Sequence, residues 1–221
     1  MKKVSLVISL LLLVCAFLVG CGKQASAPGK VVTTDEDAVK QVITAYYQAA
    51  FCWNYEEMKA CVAEEFPIYD PCEVAKSNYM KATASGFMVE SDVDAFLELE
   101  RTFNQNMGKA ILYQDWNISV SGDTATAKLT MLPAGVDFEQ IQAQSGDVEY
   151  RDLLFTQVCQ MDEQTAKKTL SPEEFSTAHL KVQEMEYQLW LENLSSEGQG
   201  VLIQLKKSDG CWLISNIGPA Q

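Results

Sequence analysis

Apolar residues recur three and four positions apart from Asp35 onward, which is the period of an amphipathic helix. The repeating positions are Ala38, Val39, Val42, Ile43, Tyr46, Ala49 and Ala50. Thr33 and Glu36 have the spacing of a capping box, in which the two residues satisfy each other's backbone N–H groups. The pattern therefore predicts a first helix that begins near Thr33 and buries one stripe.

Three more helical segments are predicted before the pattern changes. One begins at Asn54, whose side chain can cap the helix while Glu57 occupies the third position, and it runs to about Glu65. Pro67 and Pro71 then interrupt the helical pattern. The other two segments run from about Cys72 to Thr83 and from Ser91 to about Met107.

After Met107 the apolar period changes to two, which is typical of β-strands. The first predicted hairpin has apolar positions at Leu112, Trp116, Ile118 and Val120, a turn at 121–123, and then Ala125, Ala127, Leu129 and Met131. The second has Val201, Ile203 and Leu205, a turn at 207–210, and then Trp212 and Ile214. We expect these four strands to form one antiparallel sheet, which makes the domain an α+β fold.

A helical insertion at about 136–195 separates the two predicted hairpins. Its last helix begins at Ser171, where a capping serine, Pro172 at the first position and the capping-box Glu174 coincide. This helix has two apolar stripes, one of Phe175, Ala178, Val182, Met185 and Leu189 and one of Leu180, Tyr187, Leu191 and Leu194. Such a helix is either sandwiched between other elements or used in a contact. We expect the insertion to cover the second face of the sheet.

Residues 1–20 have the layout of an export signal, with Lys2 and Lys3 before an apolar run. The run ends in Leu-Val-Gly20-Cys21, which resembles the lipobox of bacterial lipoproteins. That resemblance implies cleavage between Gly20 and Cys21 and a diacylglyceryl group on the Cys21 thiol. Because two acyl chains give stable membrane anchoring, we expect the mature chain to lie on the extracytoplasmic side of the cell membrane. Residues 21–34 are small and polar and predict a tether to a single domain at 35–221.

The charge of the chain excludes one class of partner. The sequence has 30 acidic and 17 basic residues and a net charge of −13. No cluster of lysine or arginine occurs after the signal, and affinity for a phosphate backbone needs such clusters. Nucleic acid is therefore not an expected partner.

Five cysteines follow the signal: Cys52, Cys61, Cys72, Cys159 and Cys211. Export permits disulfide bonds, but the spacing does not select a pairing, and buried reduced cysteines are an equal alternative. The sequence has no CxxC pair and one histidine, His179, so no metal or other cofactor is expected. The three acids at 35–37 and the pair Asp92 and Asp94 stand at predicted helix starts, which explains them without calcium.

The closing strand reads DGCWLISNI, from Asp209 to Ile217. With helices first and two hairpins, it resembles the nuclear transport factor two-like, or cystatin-like, α+β cone, whose last strand often reads D-G-x-W-x-I. The opening helices also resemble those of exported lipoproteins of Gram-positive type, a group whose function is largely uncharacterised. The resemblance implies N-terminal helices packed on a curved antiparallel sheet, with a ligand pocket inside the cone.

The resemblance directs attention to residues near the mouth of such a cone. The candidate pocket residues are Tyr46, Tyr47, Trp53, Asp115, Trp116 and Trp212. These side chains can line a ligand pocket or fill the core. His179 is suited to proton transfer near neutral pH, although its place on an apolar stripe favours a structural, hydrogen-bonded histidine.

Three function hypotheses follow. The first is a membrane-anchored binding module that holds a small ligand or another envelope protein. The second is an enzyme that uses the pocket of the cone, and the third is a purely structural envelope protein. The main support for the binding module is the helix from Ser171 to Leu194 with its two apolar stripes, because an exposed stripe would mark a partner surface. No known catalytic motif is present, but active sites on this fold leave weak sequence traces, so the enzyme stays as the alternative.

Overall fold

A computed structural model describes residues 34–220, and its fold is α+β with helices ahead of a four-stranded antiparallel sheet, as predicted. The predicted signal segment, Cys21 and the tether up to Thr33 lie outside the described residues. Four helices precede the sheet: α1 (Asp35–Phe51), α2 (Tyr55–Ala60), α3 (Pro71–Ala84) and α4 (Val93–Ala110). A 3₁₀ turn at Glu90–Asp92 leads into α4.

The sheet is a meander in the order β1–β2–β3–β4. Its strands are β1 (Leu112–Ser121), β2 (Thr124–Leu132), β3 (Gln199–Ser208) and β4 (Cys211–Pro219). Between β2 and β3 the predicted helical insertion is confirmed as α5 (Phe138–Ser145), α6 (Tyr150–Cys159), α7 (Glu163–Thr169) and α8 (Pro172–Glu192). A bridge between Val136 and Leu194 brings the two ends of the insertion together.

The main core lies between α1 and one face of the sheet. Val39 and Ile43 of α1 are fully buried against Ala127, Ile203 and Ile214 of the three strands β2, β3 and β4. Each of these strand residues is two positions from the next buried one, so the predicted period of two is correct in β2 and β3. The second hairpin turns at Asp209 and Gly210, which have positive φ angles of 51° and 81°, the geometry of a tight hairpin turn.

The alternation predicted for β1 is wrong at its start. A β-bulge lies between Gln114 and Asn117, and Asp115 within it has a φ of 53°. The extra residue shifts the alternation, so Tyr113 packs against the core together with Trp116. Leu112, which was expected on the buried face, is 55% exposed.

Helix boundaries follow the predicted caps in some places and depart from them in others. Asn54 caps α2 by accepting from the backbone N–H of Glu57 at 3.3 Å, as predicted. The cap of α1 is Thr34, which accepts from the N–H of Asp37 at 3.2 Å, rather than Thr33. The prediction that α2 reaches Glu65 is wrong, because Val62 instead forms a parallel bridge with Ile214 of β4.

The two apolar stripes of α8 pack against other helices of the same chain. Phe175 and Val182 form a cluster with residues of α6 and α7, while Tyr187 stacks on Phe103 of α4 with ring centroids 4.3 Å apart. Leu180 packs against the cluster at the start of α4. The helix is thus sandwiched, which was one of the two predicted alternatives.

The expectation that the insertion covers the second face of the sheet is wrong. Within the described part of the chain, α8 has its main contacts with α4, α6 and α7, and the helix in close contact with strands is α1. The outer face of β2 carries Thr124, Thr126 and Lys128, whose polar side chains need no cover. Among residues 34–220, no helix combines the length and the apolar character that crossing a membrane requires.

Candidate functional site

The junction of α1 and α2 contains an unusual backbone position. Cys52 is the C-cap of α1, and the next two residues complete a Schellman motif: Trp53 N–H donates to Ala50 O at 3.1 Å, and Asn54 N–H donates to Ala49 O at 2.8 Å. The motif requires a left-handed residue after the cap, a position at which glycine is most common. This chain has Trp53 there, with a φ of 57°.

A large side chain at such a position costs free energy. The left-handed region brings Cβ close to a carbonyl oxygen, which costs about 1–2 kcal/mol for a residue other than glycine. Strained residues of this kind concentrate at ligand-binding and catalytic sites, where the surrounding structure maintains them. The position of Trp53 therefore marks the junction as a candidate site.

Trp53 lines an open cleft of about 420 Å³ at this junction. We call it the corner cleft and define it by its lining residues, Cys52, Trp53, Asn54, Tyr55, Glu56, Asp70, Arg101 and Gln105. The residues come from the α1–α2 junction, from the start of α3 and from the middle of α4. Two aromatic rings, two amides and charges of both signs thus meet in one concave surface.

The charged groups of the corner cleft are not neutralised by one another. Within residues 34–220, the side chain of Arg101 forms no ion pair or hydrogen bond, and it pairs with neither Glu56 nor Asp70. Asp70 accepts from the N–H of Cys72 at 2.9 Å through Oδ1 and so caps α3. Its Oδ2 and the guanidinium of Arg101 remain available to a ligand.

A second cleft adjoins the corner cleft and shares Cys52 and Gln105 with it. It has a volume of about 350 Å³ and a more apolar wall that includes Phe51 and Gly108. At Gly108 helices α1 and α4 approach so closely that an added Cβ would lie 2.6 Å from the Cβ of Phe51. Together the two clefts offer a polar region next to an apolar one.

The other predicted pocket residues lie elsewhere and pack into the main core. The rings of Tyr46 and Tyr47 meet edge-on with centroids 5.4 Å apart, and the ring centroids of Tyr47 and Tyr113 are 6.0 Å apart. Trp116 and Tyr46 are partly buried against the core cluster, and burial raises the pKa of Tyr47 to about 12. These aromatic side chains fill space in the core, which was one of their two predicted roles.

Asp115 lies on the surface, whereas Trp212 is buried and hydrogen-bonded within the fold. Asp115 is exposed at the β-bulge. Trp212 is 3% exposed, and its indole N–H donates to Asp35 at 3.0 Å. Lys207 also donates to Asp35, at 2.9 Å, and this hydrogen bond and that of Trp212 lower the pKa of the carboxyl group. The contact joins the last hairpin to the first turn of α1.

His179 belongs to a network that sequence reasoning missed. Arg151 donates from Nε to Glu163 at 2.9 Å, from Nη1 to Glu186 at 2.6 Å and from Nη2 to His179 at 2.8 Å. Arginine has no acceptor, so Nε2 of His179 must accept and Nδ1 must donate to the carbonyl of Phe87, 2.8 Å away. The histidine is therefore neutral, and both ring nitrogens are occupied.

Glu186 completes this network in the interior of the insertion. It is 3% exposed and accepts from Tyr150 at 2.8 Å and from Gln183 at 2.9 Å as well as from Arg151. Arg151 also lines a cleft of about 670 Å³ between α6 and α7. The guanidinium of Arg151 already has three partners within the chain. This larger cleft therefore offers a ligand fewer unoccupied hydrogen-bond donors than the corner cleft does.

Two of the acids at the helix starts, Asp92 and Asp35, have partners within the chain. Asp92 accepts from the hydroxyl of the buried Ser176 at 2.7 Å, which ties the start of α4 to α8. Asp35 is paired with Lys207. No group of three or more histidine, cysteine or acidic side chains suited to a metal ion occurs in the part of the chain that the structure describes.

Sequence reasoning predicts one residue of the corner cleft and does not indicate its charged residues. Trp53 was recognised as a candidate pocket residue, but Asp70 and Arg101 were not, because the packing of α3 on α4 brings them to it. Comparison of the chain with protein-family models, with curated proteins and with solved structures gave no significant match.

Proposed function

We propose that this protein is a lipid-anchored binding module on the extracytoplasmic side of the cell membrane, which holds a small polar ligand in the corner cleft. The observation that carries the proposal is Trp53, a large aromatic residue kept in the left-handed backbone region at the wall of that cleft. Glycine would complete the same Schellman motif at lower cost, so a role for the indole ring offers a reason for the strain.

A small ligand is favoured over a protein partner for a specific reason. The apolar helix α8 was the main argument for a partner surface, and both of its stripes pack against helices of the same chain. The corner cleft, at about 420 Å³, has the volume of an ordinary small-molecule site. Two amides and Arg101, whose side chain has no partner in the described part of the chain, supply directional polar contacts.

Ligand screening of the full chain in detergent micelles tests the binding proposal. The panel contains free amino acids, dipeptides and methyl glycosides, and binding is detected by ligand-observed NMR. We expect at least one class to bind to the wild type and to lose binding in Trp53→Gly, which preserves the backbone motif. If nothing binds, or if the Trp53→Gly variant binds equally well, the corner cleft is not the site and the proposed function is wrong.

The membrane anchor is tested separately through Cys21, which follows the export signal, and Cys15, which lies within it. Cys21→Ala is expected to abolish acylation and to release the protein from the membrane fraction. Cys15→Ala is the matched control, because Cys15 lies within the apolar run and should be removed with the signal. Acylation that persists in Cys21→Ala would contradict the assignment of the lipidated residue.

A further inference from the structure

The corner cleft contains opposite charges that form no ion pair with one another. Asp70 is fixed at the start of α3 by its bond to the N–H of Cys72, at 2.9 Å, while Arg101 stands on α4. Helices α3 and α4 pack on each other, so the backbone positions that carry Asp70 and Arg101 are fixed relative to one another. Glu56 adds a second acid on the α2 side. Since none of these groups forms an ion pair within the described residues, a ligand can satisfy both signs.

The two arginines of the chain differ in the number of their side-chain partners. Arg151 has three charged or polar partners in the insertion. Arg101 has none within residues 34–220, although the chain carries a net charge of −13 and acids are plentiful. A guanidinium matches a carboxylate in a bidentate geometry, so a free carboxylate is the natural partner for Arg101.

The aromatic residues complete the set of contacts. Trp53 and Tyr55 line the same cleft as the acids. An ammonium group is attracted both to a carboxylate and to the face of an aromatic ring. An apolar group on the same ligand can enter the adjoining cleft beside Phe51.

We propose that the ligand of the corner cleft is a small zwitterion, an amino acid or a short peptide with free amino and carboxyl ends. Its carboxylate pairs with Arg101, and its ammonium group lies between Asp70, Glu56 and the aromatic rings. This inference rests on the proposed function, because it names the ligand class of the same site.

The test uses three forms of one probe against the full chain in detergent micelles. The probe is the dipeptide alanyl-phenylalanine, and its two derivatives are the N-acetyl form, which lacks the ammonium, and the C-terminal amide, which lacks the carboxylate. We expect each derivative to bind at least about tenfold more weakly than the dipeptide, the ratio that the loss of one charge-assisted hydrogen bond gives. Isothermal titration calorimetry measures the three dissociation constants.

Two variants assign each charge to its partner. Arg101→Gln should weaken the dipeptide to the level of the amide and leave the amide unchanged. Asp70→Asn should reduce the preference over the acetylated form, and asparagine keeps the α3 cap because its side-chain oxygen still accepts. Lys128→Gln, on the exposed outer face of β2, is the control and should leave all three constants unchanged.

The outcomes separate this inference from the proposed function. Equal binding of the three forms, or binding of a neutral methyl glycoside that depends on Trp53 while the dipeptide fails, overturns the zwitterion and leaves the binding module standing. If no probe of either kind binds in a manner that depends on Trp53, both proposals are wrong. Binding of the dipeptide with unchanged constants in Arg101→Gln also overturns the inference.

Discussion

The backbone strain at Trp53 predicts an inverted order of stability between two small substitutions. Trp53→Gly and Trp53→Ala both remove the indole ring, so the loss of its partial burial is common to the two variants. They differ in the backbone, because alanine keeps a Cβ in the left-handed region and glycine does not. With φ at 57°, the Cβ costs about 1–2 kcal/mol. The glycine variant should therefore be the more stable one by about 1 kcal/mol, since its more flexible unfolded chain offsets part of the gain.

Urea denaturation followed by circular dichroism measures this difference. Circular dichroism is the appropriate signal because Trp116, Trp190 and Trp212 remain and would complicate fluorescence. The slope of the free energy against urea should be the same in both variants, so that the midpoints compare directly. As a position control, the same pair of substitutions at Gln41, an exposed residue inside α1, should show the usual order with alanine more stable. If alanine is the more stable residue at position 53 as well, Trp53 is not strained and the reasoning that led to the corner cleft fails.

Two further predictions concern packing and pH. Gly108→Ala should lower the free energy of unfolding by about 1–2 kcal/mol. The added Cβ would lie 2.6 Å from the Cβ of Phe51, and this clash outweighs the better helix propensity of alanine. Gly135→Ala, whose Cβ would meet no atom within 4 Å, should shift the urea midpoint little, and an equal loss in both would contradict the packing argument. Burial lowers the pKa of His179 below 6.5, so the unfolded chain binds more protons below that pH and stability falls as the medium is acidified from about pH 6.5. His179→Gln should reduce this loss in urea titrations at pH 5 and 7, whereas an unchanged pH dependence would refute the assignment of the neutral histidine beside Arg151.

The sequence predicted those features that depend on neighbouring residues. The cap of α8 at Ser171 and Glu174 is present with both hydrogen bonds, because a capping box is completed within four residues. The hairpin turn at Asp209 and Gly210 is likewise local. The alternating strand residues predicted the buried face of β2 and β3, since a two-residue period requires no knowledge of the partner strand.

The predictions failed where a distant segment decides the conformation. Helix α2 ends at Ala60 because Val62 pairs with Ile214 on the last strand. The stripe of α8 that includes Tyr187 was assigned to no specific partner, and its stacking on Phe103 depends on how α4 lies beside it. In each case the favourable contact forms between residues far apart in the chain.

The residues of the candidate site divide in the same way, into features set by neighbouring residues and features set by distant segments. The sequence by itself determined the α+β order of elements, the amphipathic faces, the caps and the presence of a single histidine and two arginines. Tertiary structure alone decided that Arg151 is bound by Glu163, Glu186 and His179, while Arg101 lines the corner cleft with no side-chain partner among residues 34–220. The physical reason is that the environment of a charge is set by all the groups within a few ångströms, and helix packing brings those groups together from remote positions.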